Sequence, residues 1–138
     1  MTLHIGHIMK LISDRMRIKA DADFKEHNIT LPQARIIKFL SRNDGAATQK
    51  AIEEHLGVSH PTVVGLVSRM KNNGFLDCGT DEADKRNKIV KLTEKAVCLD
   101  NKLKNSIDER EALLLGGLSE GEVDELRRML LIMYNNIS

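Results

Sequence analysis

The sequence predicts a mostly α-helical protein with a small β-hairpin wing: a winged helix-turn-helix with N- and C-terminal dimerisation helices. Three observations predict it. Residues 48–96 read TQKAIEEHLGVSHPTVVGLVSRMKNNGFLDCGTDEADKRNKIVKLTEKA. Two short helices joined by a glycine turn run there into a charged hairpin, the layout that sets one helix in a DNA groove. Aromatic residues are only 3% of the chain and Trp is absent, so the core must be aliphatic and Met-filled. Long helices supply such a core more readily than a many-stranded β-sandwich does. Finally, apolar residues recur at helical spacing at both ends of the chain.

Each element follows in order. Ile5, Ile8, Met9, Ile12 and Met16 carry the helical period and predict a first helix from about His4 to about His27. Thr30 stands three residues before Gln33, a capping box, with Pro32 tolerated in the first turn of a second helix. That helix carries Ile36, Ile37, Phe39 and Leu40 and stops near Asn43-Asp44-Gly45. Thr48 can cap a third helix that buries Ile52 and Leu56; Gly57 supplies the turn and Ser59 caps a fourth helix. The fourth helix is expected to bury Val63, Leu66, Val67 and Met70 and to end at Asn72-Asn73-Gly74, with Gly74 left-handed. Phe75 to Gly79 and Lys88 to Leu92 read as the two strands of the hairpin. Thr93 caps a fifth helix carrying Val97, Leu99, Leu103, Ile107 and Leu114, closed by Gly116-Gly117. Ser119 and Glu122 form a second capping box for a last helix, in which Val123, Leu126, Leu130, Met133 and Ile137 alternate by three and four like a heptad seam.

The 138 residues suit one domain over 1–138. Its winged part is expected at about 30–96, and its helical dimerisation part at about 1–28 and 97–138. Met129, Leu131 and Ile132 make the last helix apolar beyond its seam, and such a helix must be covered on several sides. A homodimer interface is therefore expected from Ile5, Ile8 and Ile12 at one end and Val123, Leu126, Leu130, Met133 and Ile137 at the other.

The net charge is only +1, but residues 59–95 hold seven cations against five anions. No signal peptide is expected, because MTLHIGHIMKLISDRMR lacks a continuous apolar stretch. Runs such as Leu130 to Met133 are far too short to span a bilayer, so no membrane partner is expected. Cys78 and Cys98 lack CxxC spacing and read as reduced thiols of the cell interior; Cys98, among apolar neighbours, reads as buried and inert. No HExxH, GxSxG or glycine-rich phosphate loop is present, so no enzyme and no cofactor are expected. His4 and His7 lie one turn apart and His55 and His60 flank the motif turn, without the carboxylate or Cys that would complete a metal site.

With its apolar side inward, the fourth helix presents Ser59, His60, Pro61, Thr62, Val64, Gly65, Ser68 and Arg69, its N-terminal part entering the major groove of double-stranded DNA. Thr62 can donate or accept, Val64 can touch a thymine methyl, and Gly65 permits close approach. On the wing, Lys85, Arg86 and Lys88 are the candidates for DNA contact, with Asp84 holding the Arg86 guanidinium for the minor groove. Thr48, Gln49 and Lys71 are the candidates for backbone contact.

The segments LPQARIIKFL, QKAIEEHLGVSHPTVVGLVSRMKNNGFL, DEADKRNKIVKLTEKA and LSEGEVDELRRML resemble the MarR family of bacterial transcriptional regulators, over about Leu31 to Leu130. The more specific signal is Asp84-x-Arg86 followed by Leu92 to Lys95. The resemblance implies a homodimeric repressor in the bacterial or archaeal cytosol, bound to a pseudo-palindromic operator and released by a small lipophilic or phenolic effector. It implies an effector crevice between the helical and winged parts, here lined by aliphatic and Met side chains that include Met16 and Phe39. The chain departs from the pattern at Glu53, where a small residue is usual, and at Val64 and Gly65, where Thr and Arg are frequent. Two readings of other kinds share the fold: a winged helix that only binds protein, and a redox- or metal-responsive regulator.

Overall fold

The computed structural model describes residues 2–138. In chain order its elements are α1 (Ile5–Glu26), α2 (Leu31–Ser41), β1 (Ala46–Thr48), α3 (Gln49–Leu56), α4 (His60–Asn72), β2 (Leu76–Thr80), β3 (Lys88–Leu92), α5 (Glu94–Leu114) and α6 (Glu120–Asn136). Two compact units result, Met1–Ser106 and Ile107–Ser138.

Helix boundaries follow side-chain chemistry. The Oγ1 of Thr30 accepts from the Gln33 amide while the Gln33 Oε1 accepts from the Thr30 amide, a closed capping box. Ser119 and Glu122 make the same pair of bonds at the start of α6. Thr48, Ser59 and Thr93 each accept from the backbone amide three residues on, satisfying donors that a helix start leaves unpaired. Gly57, with φ at 66°, turns the chain between α3 and α4 in a left-handed conformation that costs a residue with a Cβ. Gly74, at φ 81°, does the same between α4 and β2.

The core lies in the larger unit. Ile36, Ile37 and Leu40 of α2, Ile52 of α3, Val63 and Met70 of α4 and Val90 of β3 are all fully enclosed. They meet Leu66, Val67, Phe75, Leu76, Ala96, Leu99 and Leu103 in one cluster. The sheet is antiparallel with order β1-β3-β2, so β3 is central and pairs Val90 with Ala47 on one side and Cys78 on the other.

Three sequence expectations need correction. The sheet has three strands: Ala46–Thr48 adds to β3, and the Leu92 amide donates to the Gly45 carbonyl at 2.8 Å. Two alanines carry little strand preference, so only the pairing with β3 makes this segment extended. The first hairpin strand begins at Leu76 rather than Phe75 and runs to Thr80. Cys98 is exposed, not buried, and so is Val97. The inward arc of α5 is Ala96, Leu99, Asp100 and Leu103, in which the carboxylate of Asp100 accepts from Ser41 Oγ at 3.0 Å and pairs with Lys104 at 3.2 Å. The apolar period marks Leu99 and Leu103 of that arc, whereas Asp100, being charged, gives no sign of facing inward.

Neither α1 nor α6 contains a buried residue. On α1, Ile5 and Ile12 are exposed and Ile8 is half-buried; on α6, Leu130 and Ile137 are exposed while Val123, Leu126 and Met133 are half-buried. Among the described residues no helix is long and apolar enough to cross a membrane.

Candidate nucleic-acid interface

Because α4 sends Val63, Leu66, Val67 and Met70 inward, its other side is left to solvent: His60, Pro61, Thr62, Val64, Ser68 and Arg69 are exposed and Gly65 is half-buried. The sheet then places the wing beside this side. One hollow is lined by Thr48 at the end of β1, by Gln49, Lys50, Glu53, His60 and Val64 from the helices and by Arg86, Asn87 and Lys88 from the wing. An adjoining hollow is lined by Val64, Val67, Ser68 and Lys71 of α4 and by Cys78, Gly79, Thr80 and Lys88 of the hairpin, with Gln49 at its edge. Gln49, Val64 and Lys88 belong to both, so helix and wing border a continuous groove.

The wing is held by its own acids. The Asp81 carboxylate accepts from the Ala83 amide at 3.0 Å, and the Asp81 amide donates to the Asn87 carbonyl at 3.0 Å across the loop base. Asp84 accepts from the Arg86 amide and Nε at 3.1 Å each and from Nη2 at 3.2 Å, a two-pronged clamp. The side-chain bonds to Arg86, and then the backbone bond, hold the Asp84 carboxyl below its ordinary value of 3.8. The Arg86 side chain is nevertheless 90% exposed, so the clamp aims the guanidinium without hiding it. Two of the anions that dilute the local positive charge are thereby engaged in shaping the loop. Lys85 is exposed at the loop tip and Lys88 starts β3.

Several predicted side chains are less free than their exposure suggests. The Thr62 hydroxyl lies 2.8 Å from that of Ser59, which also caps the helix. Arg69 leans back one turn and donates from Nε to the Gly65 carbonyl at 3.2 Å. A Cβ on Gly65 would sit 3.5 Å from the Arg69 Nη2, so this guanidinium covers the bare backbone where the family resemblance leads one to look for an arginine. Thr48 caps α3, and Gln49, only 7% exposed, forms the floor of the groove rather than a free backbone contact. Lys71 is exposed beside the second hollow.

Three residues lining the first hollow escaped the sequence reading. Lys50 follows Gln49 on the first turn of α3, and the rule that helix starts face phosphates could have found it. Asn87 sits at the base of the wing, with no sequence signal. Glu53 bonds to Nδ1 of His60, a contact that only the folded turn creates. Elsewhere, Phe39 stacks on His55 of α3 at 4.3 Å beside Arg35, Lys38 and Arg42, whereas Met16 is half-buried on α1. Among the described residues no three His, Cys, Asp or Glu side chains converge as metal ligands would. Cys78 is exposed along the second hollow.

Comparison with known proteins gives the site its context. A family model described as the MarR family matches residues 27–87. The chain is similar over its full length to MepR, a transcription regulator of the Staphylococcus aureus multidrug efflux pump MepA, with 26% identity, a TM-score of 0.87, and 99% of this chain and 100% of that one covered. The MepR–DNA complex matches at 27% identity and a TM-score of 0.81, over 96% and 99% of the two chains. MepR bound to ethidium bromide matches at 27% identity and a TM-score of 0.75, over 99% and 98%.

Proposed function

We propose that this chain, like the MarR-family proteins it is similar to, is a DNA-binding transcription regulator, and that it works as a homodimeric repressor released by a small molecule. The observation that carries the DNA part is the shared groove. His60 and Val64 of α4 and Arg86 and Lys88 of the wing come from separate segments, yet they border one hollow. A helix start in the major groove and an arginine in the adjoining minor groove would occupy such a surface together. His60, Thr62 and Val64 then meet base edges, Arg86 enters the minor groove, and Lys50, Lys71, Lys85 and Lys88 meet phosphates. That residue set extends the sequence reading by Lys50 and demotes Gln49 to support.

The dimer is supported by the apolar surface that each end leaves uncovered. Leu3, Ile5, Met9, Leu11 and Ile12 are exposed at the first helix, and Leu130, Leu131, Ile132, Tyr134 and Ile137 at the last. Exposed apolar residues in such number on a helix mark an interface, and a second copy of the same helices is a self-complementary cover. A two-fold dimer would read an inverted repeat whose half-sites lie about 10 bp apart, one helical turn. Such a repressor acts in the bacterial or archaeal cytosol.

Gel shift with the promoter of the protein's own gene tests the DNA part. Binding to a pseudo-palindrome at nanomolar protein, weakening steeply with salt, is expected; no duplex binding even at low salt would leave the protein-interaction reading in its place. The effector part is supported by the ethidium-bound relative. Lipophilic cations and phenolic acids that raise the melting temperature are expected to lower operator affinity, because a ligand shifts an equilibrium only by its differential affinity for the two states. If every stabilising compound leaves the gel shift unchanged, the effector part fails alone.

A further inference from the structure

The recognition helix begins with a histidine whose ring is already engaged. Nδ1 of His60, the first residue of α4, bonds to Oε1 of Glu53 on α3, across the Gly57 turn. The two side chains differ in exposure: that of Glu53 is 17% exposed and that of His60 is 69% exposed. The carboxylate is thus the fixed partner and the imidazole the presented one. An ionised carboxylate can only accept, so in the neutral ring the proton must sit on Nδ1. Nε2 then carries a lone pair, and among the described residues it has no protein partner. His60 and Glu53 both line the groove shared by α3, α4 and the wing.

We propose that Glu53 is a positioning residue that locks His60 as the Nδ1–H tautomer, so that Nε2 reads an amino group on a major-groove base edge. The amino groups available there are N6 of adenine and N4 of cytosine. Guanine shows only acceptors at N7 and O6, and thymine an acceptor and a methyl, so a lone pair is rejected by both. Without the carboxylate the ring exchanges tautomers, and the alternative form offers a donor where the acceptor stood. The inference rests on the reading of α4 as the DNA-reading helix, and two measurements keep the two ideas apart.

The first is nitrogen NMR of His60 in the DNA-free protein at about pH 8, above the ordinary histidine range. The native chain is expected to show the Nδ1–H form, Glu53→Ala a mixture, and Glu53→Gln, which can accept or donate, a value between them. A native ring in the Nε2–H form would overturn the proposal with no DNA in the tube. The second is binding to half-site panels carrying each of the four bases at every position. The native protein should prefer adenine or cytosine over guanine and thymine at one position by about five- to ten-fold, the worth of one base-edge hydrogen bond. Glu53→Ala should reduce that preference to within about two-fold while leaving the melting temperature and the other positions unchanged. His60→Ala should erase the same preference, and adding Glu53→Ala to it should change nothing more. A Glu53→Ala protein that binds DNA with its preference intact refutes the role of Glu53. A native protein in the Nδ1–H form that binds no duplex refutes the DNA reading instead, and the base-reading claim with it.

Discussion

Helices α4 and α6 are written with the same apolar alternation of three and four residues, yet they end in opposite circumstances. On α4, Val63, Leu66, Val67 and Met70 are between 0% and 8% exposed, all covered by other parts of the same chain. On α6 no residue is buried, and Leu130, Leu131 and Ile132 are 40%, 57% and 48% exposed. A helix satisfied on its apolar side by its own chain has its other side available for a ligand. A helix still carrying apolar surface after folding has its demand left over for another molecule. Periodicity is thus evidence of a buried side, and only the fold says in which molecule the cover lies.

The sharpest way to break the comparison is to damage each side and look for different symptoms. Leu40→Ala, at a fully enclosed position on α2, should cost about 2–5 kcal/mol of unfolding free energy by urea titration, whatever the protein concentration. A loss of similar size from Leu131→Ala in dilute protein would erase the distinction, since an exposed position should cost within about 0.5 kcal/mol there.

Leu130→Glu comes next. In the single chain its carboxylate reaches solvent, but in a paired α6 it would be buried without a partner. Light scattering should show a folded monomer where the unmodified protein is a dimer, and half-site cooperativity on DNA should disappear. A folded monomer from the unmodified chain at micromolar concentration would instead show that α6 is not covered by its copy.

Smaller effects belong to the free side of α4 and to the wing. Arg86→Ala should weaken operator binding by about ten-fold and relax any A/T preference at the outer positions. Lys71→Ala should weaken all sequences alike and lower the slope of affinity against salt by about one. Asp84→Asn should cost less than Arg86→Ala, because the arginine stays and only its aim is lost. The carboxyl of Asp84 is held below its ordinary value by Arg86, so the clamp is complete above that value and is lost only as pH falls through the lower folded one. The Asp84→Asn effect on DNA binding should therefore be the same at about pH 6 and about pH 8. A marked difference in a titration across that range would place another ionisable group in control of the wing.

What could be read from the sequence alone was what neighbours in the chain decide. The caps at Thr30, Thr48, Ser59 and Ser119 involve partners three residues away, and the inward set of α4 needs only the helical repeat. The clamp of Asp84 on Arg86 spans two residues and was equally legible. The groove was legible in its helix and wing but not in its composition: Gln49 is its floor, and Glu53 and Lys50 belong to it. Tertiary structure alone decided that Ala46–Thr48 is a strand, because its reason to be extended lies more than forty residues away on β3. It also decided that Asp100 faces inward while Cys98 does not, since the hydroxyl that receives the carboxylate is on α2. Local spacing fixes which side chains share a face. Burial and long-range hydrogen bonds are contributed by other elements, so the identity of the covering partner enters only when the chain has folded.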